Sequence, residues 1–380
     1  MVESGPDETI DADARLADIR AEIDGIDLQL QELLNRRAGC AQRVAEVKKT
    51  ELLALHGRAA AETANFYRPE REAQVLRKVM ERNRGPLPAR EVAHIFREIM
   101  SSCLALEKPM TVAFLGPEGT FTQAAAVKHF GHAVISQPLV SIDAVFDAVE
   151  SREADYGVVP VENSTEGMVT HTLDNFIRST LKICGEVEMP IRLHLLGASG
   201  CTMDQVQRIC AHQQALAQCR GWLEANWPRI EQQASPSNGE AARLAMGDVT
   251  VAAIAGDMAC EIYGLHRLAS NIQDYADNTT RFLVIGHELV KVSGRDKTSI
   301  VVSTHNKPGA LFRLLEPFQR EQLMLTRIDT RPSRSETWTY LFFIEFEGHR
   351  EDPTVARVLR ELEEQTVMLK ILGSYPQAVI

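Results

Sequence analysis

The chain lacks the features that would tie it to a membrane, to nucleic acid or to export. No apolar run approaches the ~18 residues of a membrane helix, and the first fifteen residues are acidic and polar. The formal net charge is -11, so a general basic face for phosphate neutralisation is missing. The composition therefore predicts a cytoplasmic protein that binds neither membrane nor nucleic acid, and an anionic substrate would need local basic residues.

Paired cysteines and nucleotide motifs are also missing. The 7 cysteines are scattered and none forms a CxxC pair, so we expect reduced thiols and neither a disulfide framework nor a metal site. The glycine turn Gly116–Thr122 is neither a GKS/T P-loop nor a GxGxxG fingerprint. No cofactor is predicted.

With 380 residues and 44% hydrophobic content, the chain is expected to form two or three domains.

The first segment has a helical hydrophobic pattern. From Ala14 to Lys49 apolar residues recur every three or four positions without proline, which predicts one helix of about 50 Å. Two shorter helices, near 68–83 and 89–106, cannot cover it alone. We therefore predict an intertwined all-helical domain in a homodimer or higher homo-oligomer.

Two cations lie within this apolar pattern. Arg37 and Lys48 are eleven residues apart, which returns them to nearly the same helix face. Long basic side chains can extend along a helix to reach solvent. Alternatively, with Arg71 and Glu72 opening the next helix, the cations would form an anion pocket inside the bundle.

The segments "IRAEIDGIDLQLQELLNRRAGCAQRVAEVKK", "YRPERE" and "IFREIMSSCLALE" resemble the all-helical chorismate mutase domain. The resemblance implies six substrate-binding positions: Arg20 (supplied by the partner subunit), Arg37, Lys48, Arg71, Glu72 and Glu107. Guanidinium groups would clamp the carboxylates, and Lys48 would meet the ether oxygen that gains negative charge. A pericyclic rearrangement of chorismate needs preorganised charge rather than a nucleophile or metal.

Four positions depart from that family. Glu107 stands where some members carry Gln, so it would act only when protonated, and activity should fall as pH rises. The loop 50–65 is longer than in compact members, Arg68 replaces a substrate-ordering Asp, and Cys103 replaces a serine.

The middle segment alternates short strands with helices, which predicts doubly wound α/β packing in two lobes with a cleft between them. Its strand "GVVPVENSTEG" ends in hydrogen-bonding side chains, as strand ends facing a ligand do. The turn before "QAAAVKHF" offers backbone N–H groups and the hydroxyls of Thr120 and Thr122 to a carboxylate or hydroxyl. "NTTRF" adds two hydroxyls and a guanidinium.

In this order "FLGPEGTFTQAAA", "PVENSTEG", "AHQQALAQC", "IAGDMACEIYGL" and "NTTRF" resemble prephenate dehydratase. The predicted substrate-binding residues are Thr120, Glu162, Asn163, Ser164, Thr165, Gln218, Thr280 and Arg281. The resemblance implies that Thr280 is the catalytic threonine, giving a directed hydrogen bond to the departing hydroxyl with help from Glu162 or water. Arg281 would be a partner of a substrate carboxylate or a structural partner.

After a polar linker at 286–297, the pattern βαββαβ predicts a small ferredoxin-like sandwich. It resembles the ACT domain, which binds amino acids at subunit interfaces. The implied effector-binding residues are Gly309, Ala310, Leu311, Asp329, Thr330, Arg331 and Pro332, and the implied effector is phenylalanine, as an allosteric inhibitor. The second motif usually reads Glu-Ser-Arg-Pro, which 329–332 replaces with Asp-Thr-Arg-Pro.

The whole pattern predicts a multidomain enzyme: a chorismate mutase helical domain at 12–107, a two-lobed, periplasmic-binding-protein-like dehydratase domain at 110–286, and an ACT regulatory domain at 298–380. Chorismate and prephenate would be its substrates. Two alternatives remain at this point. The helical domain could serve only dimerisation, or the two-lobed domain could be a sensor that binds a small acid without catalysis.

Overall fold

The computed structural model describes residues 6–62, 67–304, 307–332 and 340–380. It divides into two compact units, one of Met1–Tyr67 with Ile99–Pro109 and the other of Arg68–Glu98 with Met110–Ile380. The domain boundaries expected from the sequence stay predictions. In the described part of the chain, no helix has the length and apolar character needed to cross a bilayer.

The amino-terminal region is helical, as predicted. Its helices are α1 (Pro6–Glu62), α2 (Pro69–Arg82) and α3 (Ala89–Glu107). The expected loop at 50–65 is wrong through Glu62, because "ELLALHGRAAAE" is rich in strong helix formers and α1 continues through it. Its last residues, 63–65, lie outside the described residues.

Helix α1 exposes an apolar stripe. Nine side chains along it are 42 to 67% exposed in the single chain: Leu16, Ile19, Ile23, Ile26, Leu30, Leu33, Leu34, Val44 and Val47. An exposed apolar face of this extent is typical of a surface that another chain covers.

The middle region alternates strands and helices. In chain order these are β1 (Thr111–Leu115), α4 (Phe121–Phe130), β2 (Ile135–Leu139), α5 (Ile142–Glu150), β3 (Tyr156–Asn163), β4 (Gly167–Met168), α6 (Thr170–Arg178), β5 (Lys182–Pro190), β6 (His194–Gly197), β7 (Arg208–His212), α7 (Gln213–Gln218), α8 (Arg220–Asn226), β8 (Glu231–Ser235), α9 (Asn238–Met246), β9 (Val251–Ala255), α10 (Asp257–Ile262), β10 (His266–Ala269) and β11 (Thr279–Gly286). Short hydroxyl side chains start three of the helices, because the oxygens of Thr120, Ser141 and Ser237 accept from backbone N–H groups of the first turn.

Two sheets form two lobes. The first lobe has the order β2-β1-β3-β11-β5, with β4 beside β3, and the second has the order β10-β6-β9-β7-β8. The chain passes into the second lobe after Pro190 and returns before Thr279. The predicted two-lobed α/β fold is therefore confirmed.

The carboxy-terminal region is the predicted βαββαβ sandwich. It consists of β12 (Asp296–Ser303), α11 (Ala310–Arg320), β13 (Leu325–Pro332), β14 (Tyr340–Glu347), α12 (Pro353–Gln365) and β15 (Met368–Pro376). Its antiparallel sheet has the order β13-β14-β12-β15, so β13 and β15 are edge strands. Both helices pack on one sheet face around Leu314, Phe318 and Leu362.

The other face of this sheet packs against the first lobe. One hydrophobic core combines Val161, Phe176 and Ile183 of the lobe with Phe343 and Leu372 of the sandwich. A shared core of this kind holds the two sheets together, since side chains from both are packed within it.

Candidate active site

The paired ends of β3 and β11 hold the centre of the site. Thr280 lies opposite Asn163 in the antiparallel register. The Asn163 amide donates to the Thr280 hydroxyl at 2.8 Å and to the Asn278 side-chain oxygen at 3.1 Å. Because the Thr280 oxygen accepts this bond, its own hydrogen can be directed to a ligand.

The turn after β3 is held by the same asparagine. The Asn163 side-chain oxygen accepts from the Thr165 N–H at 3.0 Å and from the Thr165 hydroxyl at 2.6 Å. Next to it, the Ser164 hydroxyl oxygen accepts from the Thr279 N–H at 3.0 Å. The segment predicted from its short polar residues is therefore a turn that fixes Asn163 in one orientation.

Gln218 of α7 joins the network from the second lobe. The Asn278 amide donates to the Gln218 side-chain oxygen at 3.1 Å, and the Gln218 amide reaches the Thr165 hydroxyl at 3.4 Å. Asn278 is only 2% exposed and bonds both Asn163 and Gln218, so it connects the two lobes. Five predicted residues, Asn163, Ser164, Thr165, Gln218 and Thr280, thus come together.

The network borders a cleft of about 420 Å³. Residues from the first turns of four helices line it: Thr122 of α4, Thr170 and His171 of α6, Gln214 of α7 and Asn238 of α9. Among the residues that the structure describes, the lining includes Glu166 and His171 but no Lys or Arg. Helix amino termini present unpaired N–H groups and positive dipole ends, so the cleft suits an anionic ligand without a dedicated cation.

Glu162 and Arg281 differ from the expected placement, because neither lines this cleft. Side chains alternate along a strand, so the neighbours of Asn163 and Thr280 point to the opposite sheet face. There Glu162 pairs with Arg327 of β13. Direct substrate contact by either predicted residue stays a prediction.

Arg281 is buried in a network of charges. Its Nε donates to Glu186 at 3.1 Å, and its guanidinium also contacts Glu345 and the Tyr375 hydroxyl. Burial alone would raise the pKa of Glu345, but the charges of Arg281 and Lys297 lower it to about 2. Of the two roles considered for Arg281, this geometry matches the structural partner.

Thr120 has a local structural contact. Its oxygen accepts from the Gln123 N–H at 3.4 Å, and its hydroxyl donates to the Leu115 carbonyl at 3.2 Å. It caps α4, while the next residues, Phe121 and Thr122, line the cleft. Its role in substrate binding stays a prediction.

The predicted mutase residues fall in both units. In the first unit, Arg20 is exposed, whereas Arg37, Lys48 and Glu107 are half-buried. Burial raises the pKa of Glu107, and the charges of Lys48 and Lys49 partly offset this rise. A raised pKa is what the predicted protonated role requires.

In the second unit, Arg71 is exposed and Glu72 pairs with Arg97. The Nε of Arg97 lies 3.1 Å from the Glu72 carboxylate, and both side chains are largely buried. Arg97 was not among the predicted residues. Its position in the middle of α3 did not indicate a buried ion pair. The joint action of the six positions stays a prediction.

The predicted effector residues lie on two elements. Gly309 has φ 75°, a left-handed conformation that favours glycine, and precedes Ala310 and Leu311 in the first turn of α11. On β13, Thr330 and Pro332 are exposed, whereas Asp329 and Arg331 are half-buried. Arg331 pairs with Asp174 of α6 at 2.8 Å.

The sequence did not predict Asn278 of the network, nor His171 and Asn238 of the cleft lining. Asn278 opens the recognised "NTTRF" motif, so its position carried a signal. His171 and Asn238 stand at helix starts, a place where polar residues also occur for capping alone.

Together these features define a two-lobed α/β protein with a polar interlobe cleft, joined to a long-helix region and an ACT-type sandwich. Residues 112–289 match the prephenate dehydratase family, residues 19–108 match chorismate mutase type II, and residues 298–364 match the ACT domain.

Two relatives align with nearly the whole chain. The chain is 54% identical to the bifunctional chorismate mutase/prephenate dehydratase of Stutzerimonas stutzeri over 366 residues, covering 96% of this chain and 99% of that protein. The protein of that name from Pseudomonas aeruginosa has the same identity and coverage. The chain belongs to the family of bifunctional chorismate mutase/prephenate dehydratases.

A solved structure of a prephenate dehydratase is also similar to this chain. The prephenate dehydratase of Arthrobacter aurescens, in complex with L-Phe, is 34% identical and aligns with a TM-score of 0.65. The alignment covers 71% of this chain and 92% of that one.

Proposed function

We propose that the chain rearranges chorismate to prephenate in its helical domain and converts prephenate to phenylpyruvate in the interlobe cleft. The observation that carries the second activity is the Thr280 hydroxyl, oriented by Asn163 at 2.8 Å beside the cleft.

In the dehydratase reaction, the bond between the ring and its carboxylate breaks and carbon dioxide leaves. The released electron pair makes the ring aromatic as the ring C–O bond breaks, and the oxygen departs as hydroxide, which takes a proton to become water. Thr280 donates a hydrogen bond to this oxygen while negative charge develops on it. Amide groups at the helix starts hold the remaining carboxylate.

In the mutase reaction, no proton is transferred overall. Arg20, Arg37 and Arg71 hold the two carboxylates and favour the compact conformer, while Lys48 and Glu107 face the ether oxygen. A protonated Glu107 donates a hydrogen bond to that oxygen, and burial, which raises its pKa, favours the protonated form.

Phenylalanine is the proposed inhibitor, bound at the ACT domain through Gly309–Leu311 and the exposed side of β13. The L-Phe complex of the Arthrobacter aurescens relative supports this choice. The apolar stripe of α1 supports a homodimer in which two copies cover each other, and we place the enzyme in the cytoplasm.

The test is to supply the purified chain with chorismate or prephenate and to quantify both products over time. Phenylpyruvate from chorismate, above the uncatalysed rate, would support both activities. Conversion of prephenate alone would leave a dehydratase on a helical dimerisation domain. Binding of prephenate without turnover would instead indicate a small-acid sensor.

A further inference from the structure

The edge strand β13 has one side turned toward the dehydratase lobe. Along it Arg327, Asp329 and Arg331 are half-buried, and Ile328 and Thr330 between them are exposed. Among the strands that the structure describes, β14 is the only one that pairs with β13. The strand thus carries the exposed part of the predicted effector motif on one side and two arginines on the other.

The first arginine contacts the strand that orients the catalytic hydroxyl. Arg327 pairs with Glu162, and its Nη1 lies 3.4 Å from the sulfur of Met168. Glu162 and Met168 are themselves opposite each other in the β3–β4 ladder. Since Glu162 directly precedes Asn163, Arg327 is one residue away from the amide that bonds Thr280.

The second arginine contacts a helix that begins in the cleft. Arg331 pairs with Asp174 at 2.8 Å, and the two side chains are only 23% and 15% exposed. Asp174 belongs to α6, whose first residues Thr170 and His171 line the cleft. The pair therefore fixes α6 one turn from its amino terminus.

Both guanidinium groups are incompletely bonded. In the part of the chain that the structure describes, the buried Nε atoms of Arg327 and Arg331 have no hydrogen-bond acceptor. A buried N–H donor without an acceptor lowers the stability of the present position of β13. A shift of the strand therefore costs less free energy than it would if both guanidinium groups were fully hydrogen-bonded. Each arginine nevertheless has a half-buried carboxylate partner in the lobe.

We propose that Arg327 and Arg331 of the ACT domain are positioning residues of the dehydratase site, and that an effector on the exposed side of β13 acts through them. Arg327 fixes the position of the end of β3 and therefore the geometry of the Asn163–Thr280 hydrogen bond. Arg331 fixes the position of the start of α6, which faces the substrate anion. This inference rests on the proposed dehydratase function.

The experiment compares Arg327→Met and Arg331→Met with the full-length parent chain. Methionine keeps the length of the apolar stem and removes the charge. We expect Arg327→Met to lower kcat for prephenate about tenfold with little change in KM, since Asn163 orients the reacting hydroxyl. We expect Arg331→Met to raise KM several-fold with a smaller change in kcat. Both should weaken inhibition by phenylalanine.

Two controls separate positioning from folding. Arg320→Met removes an ion pair with Glu361 on the helical side of the ACT sheet and should leave kcat, KM and inhibition unchanged. Arg327→Lys restores a charge near Glu162 and should recover part of kcat. If either methionine variant fails to fold, Arg327→Gln or Asp174→Asn removes the same ion pair with another side chain.

Hydrogen exchange of peptides covering 158–178 gives a readout that does not need activity. Both methionine variants should exchange faster there than the parent, and Arg320→Met should not. Unchanged exchange together with parental kcat, KM and inhibition in both variants would overturn the proposal. A parent chain that converts no prephenate would instead refute the proposed function, while the exchange data would still test the positioning.

Discussion

The side-chain amide of Asn163 donates a 2.8 Å hydrogen bond to the hydroxyl of Thr280, across the paired ends of β3 and β11. The bond uses the threonine oxygen as acceptor and so leaves its hydrogen available to a ligand. It also makes the reactivity of Thr280 depend on everything that holds Asn163, including the turn at Thr165 and the buried Asn278.

Removal of the Thr280 hydroxyl should abolish most dehydratase activity. We expect Thr280→Ala to raise the barrier by about 2–4 kcal/mol, the scale of one lost oriented donor. Steady-state kinetics with prephenate measure the effect, and Thr280→Ser should keep much of the rate. Thr279→Ala is the matched control, because that hydroxyl donates to the Asp277 carbonyl instead. Unchanged turnover in Thr280→Ala would refute the assigned role.

Mutase activity should fall as pH rises. The pKa of Glu107 is raised by burial, so the protonated donor is present below this raised value and is lost above it. We expect kcat/KM for chorismate to decline toward pH 9 in the parent and to change far less in Glu107→Gln, whose amide donates at every pH. A flat parental profile from pH 5 to 9 would contradict the role of Glu107.

The buried pair of Glu345 and Arg281 should stabilise the second unit in a pH-dependent way. The pKa of Glu345 is lowered to about 2 in the folded chain, so its contribution is full above the unfolded value of about 4.3 and is lost as pH falls toward 2. Glu345→Gln should lower the free energy of unfolding at pH 7 by about 3 kcal/mol, since the buried guanidinium of Arg281 loses one of its carboxylate partners.

Urea titrations at pH 7 and pH 3 measure this difference. The gap between parent and Glu345→Gln should narrow at the lower pH. Glu363→Gln, an exposed change on α12, is the control and should have no effect at either pH. An equal gap at both pH values would count against the charge-based account.

The apolar stripe of α1 should mediate self-association. We expect Ile23→Asp to shift the chain toward a monomer of 42.3 kDa, because it places a charge within the stripe. Light scattering coupled to size exclusion measures the mass, with Glu22→Ala as a neighbouring control. A monomeric parent would contradict the proposed dimer, as would an Ile23→Asp chain that keeps the parental mass.

The sequence pattern predicted the long helix, the two lobes and the sandwich, because each depends on local periodicity. It also indicated the strand ends at which the candidate site lies. The sequence pattern could not decide which of two adjacent residues on a strand faces the cleft. This was the case for Glu162 and Asn163, and for Arg281 and Thr280. That choice depends on which sheet face the second lobe and the ACT sheet cover, a tertiary property. Asn278 was missed because its partners come from distant parts of the chain.

The core shared by the first lobe and the ACT sheet has a consequence for enzyme engineering. Phe343 and Leu372 of the sandwich pack against Phe176 and Ile183 of the lobe, so a chain shortened before β12 would expose that apolar surface to water. Truncation is therefore a poor route to a product-insensitive catalyst for phenylalanine production. Single substitutions on the exposed side of β13 preserve this packing and are the better starting point for a strain that overproduces the amino acid.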